Sequence, residues 1–308
     1  LLPNYYLSNL GIFALERYVN QKMEIDMGLR LDTKDIEIHR PIQNYSTTIK
    51  RDLSNYIGLS GSMGLKYHWT QNFENHLILA RAFRAPSPNE LFSNGVHHGA
   101  GAYEIGDPLL KGETAYNISL NSLYRTEKLE LEIGLYTNTI HHFIYLKPLM
   151  DKGEPSFITT VRGSFPAFTY EQIDASFKGM DGQVSYSISE SWSLHQKTSI
   201  VRAYDELNDT YMINIPPDRF EYLIRYQFKK HKQYVSWGIT QISMQKRVEI
   251  NADFLPPPKG YILGQVHWGI SINKFDLGVS VTNAFNQAYR DYLNRFRYFA
   301  DDQGQNIS

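Results

Sequence analysis

Two imidazoles stand side by side at His97 and His98, in a stretch where Gly95, Gly99 and Gly101 leave the backbone free to turn. Imidazole nitrogen is a good ligand for iron and an axial ligand for haem, and a glycine-rich loop could carry it to a bound molecule. The same two rings would equally serve as solvated loop residues. Arg81 and Arg84 flank Phe83 ahead of Pro86 and Pro88. Their planar guanidinium groups match carboxylates, so they would pair with acidic groups of a ligand or with Glu90 and Glu113 of the chain itself. Tyr103 adds an aromatic surface for stacking. A second pair, His141 and His142, lies in an alternating segment whose neighbouring side chains point to opposite faces, so only one of them could look into a shared cavity.

Little else in the chain carries chemistry. Cysteine is absent, which removes disulfides, thiolate metal sites and Cys nucleophiles together. The chain has no glycine-rich phosphate loop between a strand and a helix, no HExxH pair and no EF-hand spacing. The expectation is a protein that binds rather than catalyses, with no resident metal or cofactor. Lys and Arg number 31 against 32 Asp and Glu, a formal net charge of -1, which gives no support to a basic nucleic-acid binder. Hydrophobic residues make up 42% and aromatic residues 14% of the 308, too many for a disordered chain.

The elements that would position these residues read as strands. Met23, Ile25, Met27, Leu29 and Leu31 share one face opposite Glu24, Asp26, Gly28, Arg30 and Asp32. The pattern returns at Tyr116, Ile118 and Leu120, at Leu129, Leu131, Ile133 and Leu135, at Phe220 through Phe228, and at Ile262 through Val281. Several of these runs alternate for about ten residues, longer than the roughly 5 to 6 of a soluble strand and close to the 9 to 11 of a transmembrane barrel strand. No apolar run reaches the 18 or more of a membrane helix, which leaves a membrane barrel untouched. Roughly twelve strands fit the length, at about 25 residues per strand with its share of loop.

Turns fall into two kinds. Tight ones are expected at 125–128, 180–183 and 272–274. Long ones, rich in Gly, Pro and His, are expected at 85–112, 147–165, 205–219 and 251–260. Short turns at one rim and long loops at the other is the asymmetry of an outer-membrane barrel, although a soluble sandwich with long loops at one end shares it.

Two motifs are similar to a known family. The stretch 80–120, ARAFRAPSPNELFSNGVHHGAGAYEIGDPLLKGETAYNISL, and the stretch 281–308, VTNAFNQAYRDYLNRFRYFADDQGQNIS, resemble the TonB-dependent outer-membrane receptors, especially those of Bacteroidetes. The resemblance covers essentially the whole chain. It implies an all-β transmembrane antiparallel barrel, here a partial segment of a 22-stranded receptor barrel with the plug absent. Residues 1–308 would form one barrel domain, incomplete at both ends. It further implies a receptor in the bacterial outer membrane that binds an extracellular iron complex and imports it with TonB-coupled energy. The partners would be a ferric siderophore or haem as transported ligand, the TonB complex through the missing N-terminal region, the lipid bilayer and a possible surface lipoprotein, but no nucleic acid.

Haem receptors of this superfamily carry a box similar to Phe83-Arg84-Ala85-Pro86, a second similar to Asp107-Pro108-Leu109-Leu110 with Glu113 following, and a haem-ligating His between the two. The second box departs from theirs at Asp107 and Leu109. Haem and cobalamin therefore stand as alternatives to a siderophore, followed by a passive porin-like channel or a soluble adhesion domain. The candidate ligand contacts are His97, His98, Arg81, Arg84 and Tyr103, on a scaffold of Phe83, Pro86, Glu90, Gly106 and Glu113.

Overall fold

The computed structural model describes residues 2–38, 42–43, 48–49, 53–229, 232–249, 251–302, 304 and 306–307, so Gln303, Gln305 and Ser308 of the second motif lie outside the described residues. Among the described residues, twelve strands of eight or more residues follow one another, each paired antiparallel with the next. They are β1 (Tyr5–Val19), β2 (Met23–Ile38), β3 (Leu53–His68), β4 (Phe73–Arg84), β5 (Glu113–Arg125) and β6 (Leu129–Pro148). The second half comprises β7 (Gly163–Ser187), β8 (Trp192–Asp205), β9 (Arg219–Gln227), β10 (Gln233–Ile242), β11 (Tyr261–Ile272) and β12 (Phe275–Thr282). This is the architecture that the alternating pattern demands, because a strand with one apolar row is satisfied only when its neighbours carry theirs on the same side.

Register makes the rows continuous. Met63 opposes Met27 and Leu79, Leu79 opposes Ile118, and Leu135 opposes both Leu120 and Met180. Leu29, Leu79, Ile118 and Leu135 are all exposed, which is costly in water and favourable against lipid chains. The opposite face is polar: Gln183 opposes Glu132 and Lys197, and Lys197 opposes Glu221. On that face Gly179 has no side chain because the ring of Tyr136 lies over it, with Cζ 2.1 Å from where a Cβ would stand.

Both expected rims are present. The tight turns at 126–128 and 273–274 lie where expected, the latter with Asn273 at φ 54°. The expected turn at 180–183 is overturned: these residues are strand interior, paired with β6 on one side and β8 on the other. Gly179 and Gly182 resemble turn glycines, but the first makes room for Tyr136. The real turn is at 188–191, where the Ser189 hydroxyl accepts from the amides of Ser191 and Trp192. Tyr18, Trp69, Tyr124, Trp192, Phe228 and Phe275 each stand beside a short turn with the ring exposed, the placement of an interfacial aromatic girdle.

At the other rim β6 and β7 run far beyond their neighbours. A bulge interrupts them between Ile140 and Phe143, with His142 at φ 57°. The simple alternation expected for His141 and His142 therefore fails, since a bulge places an extra residue in one strand. Asp174 holds it: its carboxylate accepts the His142 amide at 3.0 Å and faces His141 Nδ1 at 3.2 Å. Above the bulge the hairpin packs against two separate clusters. Ile144 joins Ile36, Ile38, Leu91, Phe92 and Leu110, while Ile173 joins Ala175, Ala203 and Met212.

The apolar face is testable by charge insertion. Leu135→Arg should cost about 2 to 4 kcal/mol in reversible urea unfolding of the full-length protein in phospholipid vesicles, as for arginine near a bilayer midplane. Gln183→Arg, on the polar face at a similar height, should change stability by less than about 0.5 kcal/mol. Equal costs at the two positions would contradict the assignment of faces.

Candidate functional site

The loop from 85 to 112 is a folded unit fastened to the wall. Arg84, the last residue of β4, donates to the Glu113 carboxylate that opposes it on β5, at 2.7 Å from Nη2, and to both oxygens of Glu90 at 2.9 Å. Glu113 also accepts the Ile144 amide at 2.6 Å, which ties the loop base to the tall β6–β7 hairpin. The hydrogen bond to Glu113 raises the Arg84 pKa and keeps the guanidinium charged.

Glu90 has a second task. Its carboxylate accepts the Ser87 amide while Ser87 accepts the Glu90 amide, a capping box that starts the short helix α1 (Pro88–Phe92). Gly106 lies flat on α1; a Cβ there would stand 2.6 Å from Leu91 C and Phe92 N. Phe83 fills the space beside Gly58 and Gly112, and the Pro86 carbonyl accepts from Lys34 at 2.8 Å. All five residues expected as scaffold are thus engaged in holding the loop.

Beyond α1 the chain forms a small hairpin, Asn94–His97 with Ala102–Ile105. Its second arm pairs in parallel with β7, setting Tyr103 opposite Ala167 and Glu104 opposite Phe168. Glu104 is buried, and its carboxylate collects three partners: His97 Nδ1 at 3.1 Å, Arg295 Nη1 at 2.9 Å and the Tyr170 hydroxyl at 3.3 Å. Burial, reinforced by the adjoining Glu104 charge, pushes the Tyr170 phenol up and keeps it a neutral donor. His98, on the other side of the tip, meets Arg162 with Nε2 3.0 Å from Nη1. Arg162 sits in the turn of a hairpin pairing Phe157–Thr160 with the start of β7.

Arg295 comes from the stretch after β12, which crosses the rim and is pinned at several points, three of them around the site. Tyr292 accepts the Asn214 amide, Arg295 reaches Glu104, and buried Arg297 pairs with Asp253, which also accepts from Tyr298. Burial pushes the Tyr298 phenol up, with the Asp253 carboxylate adding to it. Phe168 and Phe254 bridge the two ion pairs, with Arg295 over the Phe168 ring at 5.2 Å and Phe254 5.6 Å from Tyr298.

Of the five residues expected at the ligand site, His97, His98 and Tyr103 come together on this hairpin. The Tyr103 hydroxyl donates to Asn94 at 2.8 Å. Arg84 lies at the loop base within its two ion pairs. Arg81 stays on the wall, donating to the Leu59 carbonyl with its guanidinium 5.9 Å from the Tyr116 ring centre. Glu104, Tyr170, Arg162 and Arg295 were not expected. Glu104 alone had a local signal, a polar residue inside the short alternating run Ala102–Ile105.

Comparison with known proteins agrees with this architecture. The model of a family described as TonB dependent receptor-like, beta-barrel matches residues 3–284. Heme/hemopexin utilization protein C of Haemophilus influenzae is 26% identical over 187 residues, covering 54% of this chain and 26% of that protein. The copper transporter OprC superposes with a TM-score of 0.82 at 15% identity, over 98% of this chain and 47% of that one. The FrpB iron transporter from Neisseria meningitidis superposes with 0.71, also at 15% identity, over 100% and 45%. The chain therefore spans about a quarter of the curated relative and about half of these solved chains, whose low identity shows the fold alone.

Arg84→Met tests the loop base. It leaves two carboxylates without their cation, at a cost of about 1 to 3 kcal/mol given that the arginine is half wetted. Limited proteolysis of the full-length protein should then cut within 85–112 several-fold faster, while heat-modifiability of the barrel on gels is unchanged. An unaltered cutting rate would mean that the clamp does not hold the loop.

Proposed function

Because this chain belongs to the TonB dependent receptor-like β-barrel family, we propose that it forms part of a bacterial outer-membrane receptor that binds an extracellular iron complex and imports it with TonB-coupled energy. The observation that carries the reading is the folded loop at the long-loop rim, clamped by Arg84 and holding His97 beside a buried carboxylate and His98 against Arg162. Import is transport, and the site has the character of a recognition surface rather than a reaction centre.

The open edge of β1, and that of β12 below the short pairing of Val281 and Thr282 with Ile307 and Asn306, extend the proposal. Backbone groups left open in hydrocarbon are too costly to persist, so further strands close the wall, as in the 22-stranded, plugged barrels of the Bacteroidetes-type receptors that the 80–120 stretch resembles. On this reading residues 1–308 are one barrel domain, incomplete at both ends, within a longer receptor. Lipid surrounds the apolar face, the TonB complex engages an N-terminal region, and a surface lipoprotein partner is compatible with the tall loops.

Among the alternatives to a siderophore, haem is favoured by one feature. His97 turns Nδ1 to Glu104, which leaves Nε2 in the state that ligates iron. The name of the Haemophilus influenzae relative points the same way. A siderophore would instead be recognised through Tyr103 and the cationic side chains of the rim.

Titrating the detergent-folded full-length receptor with ferric haem and with ferric catecholate and hydroxamate chelates separates these readings. A saturable Soret shift, abolished in the His97→Ala/His98→Ala double variant, would establish haem. Saturable quenching of tryptophan fluorescence by a ferric chelate, without a Soret shift, would establish a siderophore. Binding of none of these complexes would contradict the iron reading and return the passive channel and the adhesion domain to first place.

A further inference from the structure

The two histidines at the mouth are not equivalent. Arg162 can only donate, so its contact with His98 at 3.0 Å engages the lone pair of His98 Nε2. Glu104 can only accept while ionised, so the His97 Nδ1 that faces it at 3.1 Å carries the ring proton, and the lone pair of the neutral ring resides on Nε2. Among the described residues that Nε2 makes no hydrogen bond; it lies over Gly99, where a Cβ would stand 3.7 Å away, and the His97 side chain is half exposed. One imidazole is thus presented and the other is occupied.

What holds Glu104 in place then decides what His97 presents. Glu104 Oε1 is shared between His97 and Arg295, which arrives from 191 residues further along the chain. Arg295 is itself fixed on both sides: its guanidinium lies over Phe168, the residue opposite Glu104 in the parallel pairing, and two positions on Arg297 is buried against Asp253. Tyr170 completes the carboxylate from Oε2. A carboxylate fixed by an arginine and a phenol can hold one ring nitrogen of a histidine in one orientation, the arrangement by which outer partners orient ligating imidazoles.

We propose that Arg295 is a positioning residue of the ligand mouth: through Glu104 it fixes the ring orientation and tautomer of His97, so that Nε2 is turned to an incoming metal complex. The inference rests on the reading of His97 as a ligand contact, and makes His97 rather than His98 the contact of the pair. The rim-crossing stretch after β12 becomes part of the site, because its position determines whether that imidazole is aligned.

The test needs one readout that requires no ligand and one that does. Full-length receptor labelled with 15N-histidine is examined by solid-state NMR, with His97→Ala identifying the His97 signals. The wild type should show His97 protonated at Nδ1 and unprotonated at Nε2. Arg295→Gln and Glu104→Gln should replace that pattern with a mixture of tautomers, and Arg295→Lys, which keeps the charge, should restore part of it. Haem titration of the same proteins should show affinity about 10- to 100-fold weaker for either Gln variant. The double variant should be no weaker than either alone, and Arg295→Gln should have no effect in a His97→Ala background.

An unchanged His97 tautomer in Arg295→Gln would overturn the proposal, whatever the affinity does. A tautomer that responds in a receptor that binds no haem would support Arg295 as the positioning residue and refute haem as the ligand. If limited proteolysis showed the Arg295→Gln loops to be unfolded, the conservative Lys variant would decide: a wild-type fold with a partly mixed His97 tautomer supports the proposal, and a wild-type fold with the wild-type tautomer pattern overturns it.

Discussion

Backbone amides and carbonyls cannot be left unpaired in hydrocarbon, and the rest of this structure follows from that constraint. It dictates a meander in which every strand is bonded to the next, from β1 through β12. It dictates one apolar face, because a strand bonded on both edges has only its side chains with which to meet lipid. Short turns suffice at one rim, where aromatic rings mark the interface. All the irregularity of the chain is displaced to the other rim, where water and neighbouring loops can satisfy what the sheet does not.

That rim is organised by three carboxylate centres, each shared between segments distant in sequence. Glu113 joins the end of β4 to the tall hairpin, Glu104 joins the small hairpin to β7 and to the stretch after β12, and Asp253 joins that stretch to the loop before β11. Shielded ion pairs of this kind contribute uncertain net stability, yet removing one partner leaves a charge in a place that cannot solvate it. They act here as registration points. Loops that would otherwise sample many arrangements hold Tyr103, His97 and His98 in one.

Much of this was legible in the residues. The apolar row of β2, from Met23 to Leu31, and that of β6, from Leu129 to Leu135, could be read directly because period two survives wherever a strand has lipid on one side and a polar interior on the other. The loop bounded by Phe83 and Glu113 was legible from its Pro and Gly content, and its arginine and acidic residues were recognisable as a possible clamp. Three things were not. Met180 to Gln183 resembles a turn because Gly179 and Gly182 bracket it, yet Gly179 is there for the ring of Tyr136 rather than for a bend. The bulge at His141 and His142 depends on Asp174, which lies 32 residues away from His142. Arg295 had no local signal at all, since its meaning comes only from the carboxylate it meets across 191 residues.

Measured uptake tests the account most directly. The full-length receptor, expressed in an outer-membrane host strain lacking its own iron-complex receptors, is supplied with 55Fe as haem or as a ferric chelate, with and without a functional TonB complex. The account predicts accumulation of iron that requires both the receptor and TonB and saturates with the supplied complex. Uptake that persists without TonB and rises linearly with concentration would contradict it, because the barrel would then be a passive pore.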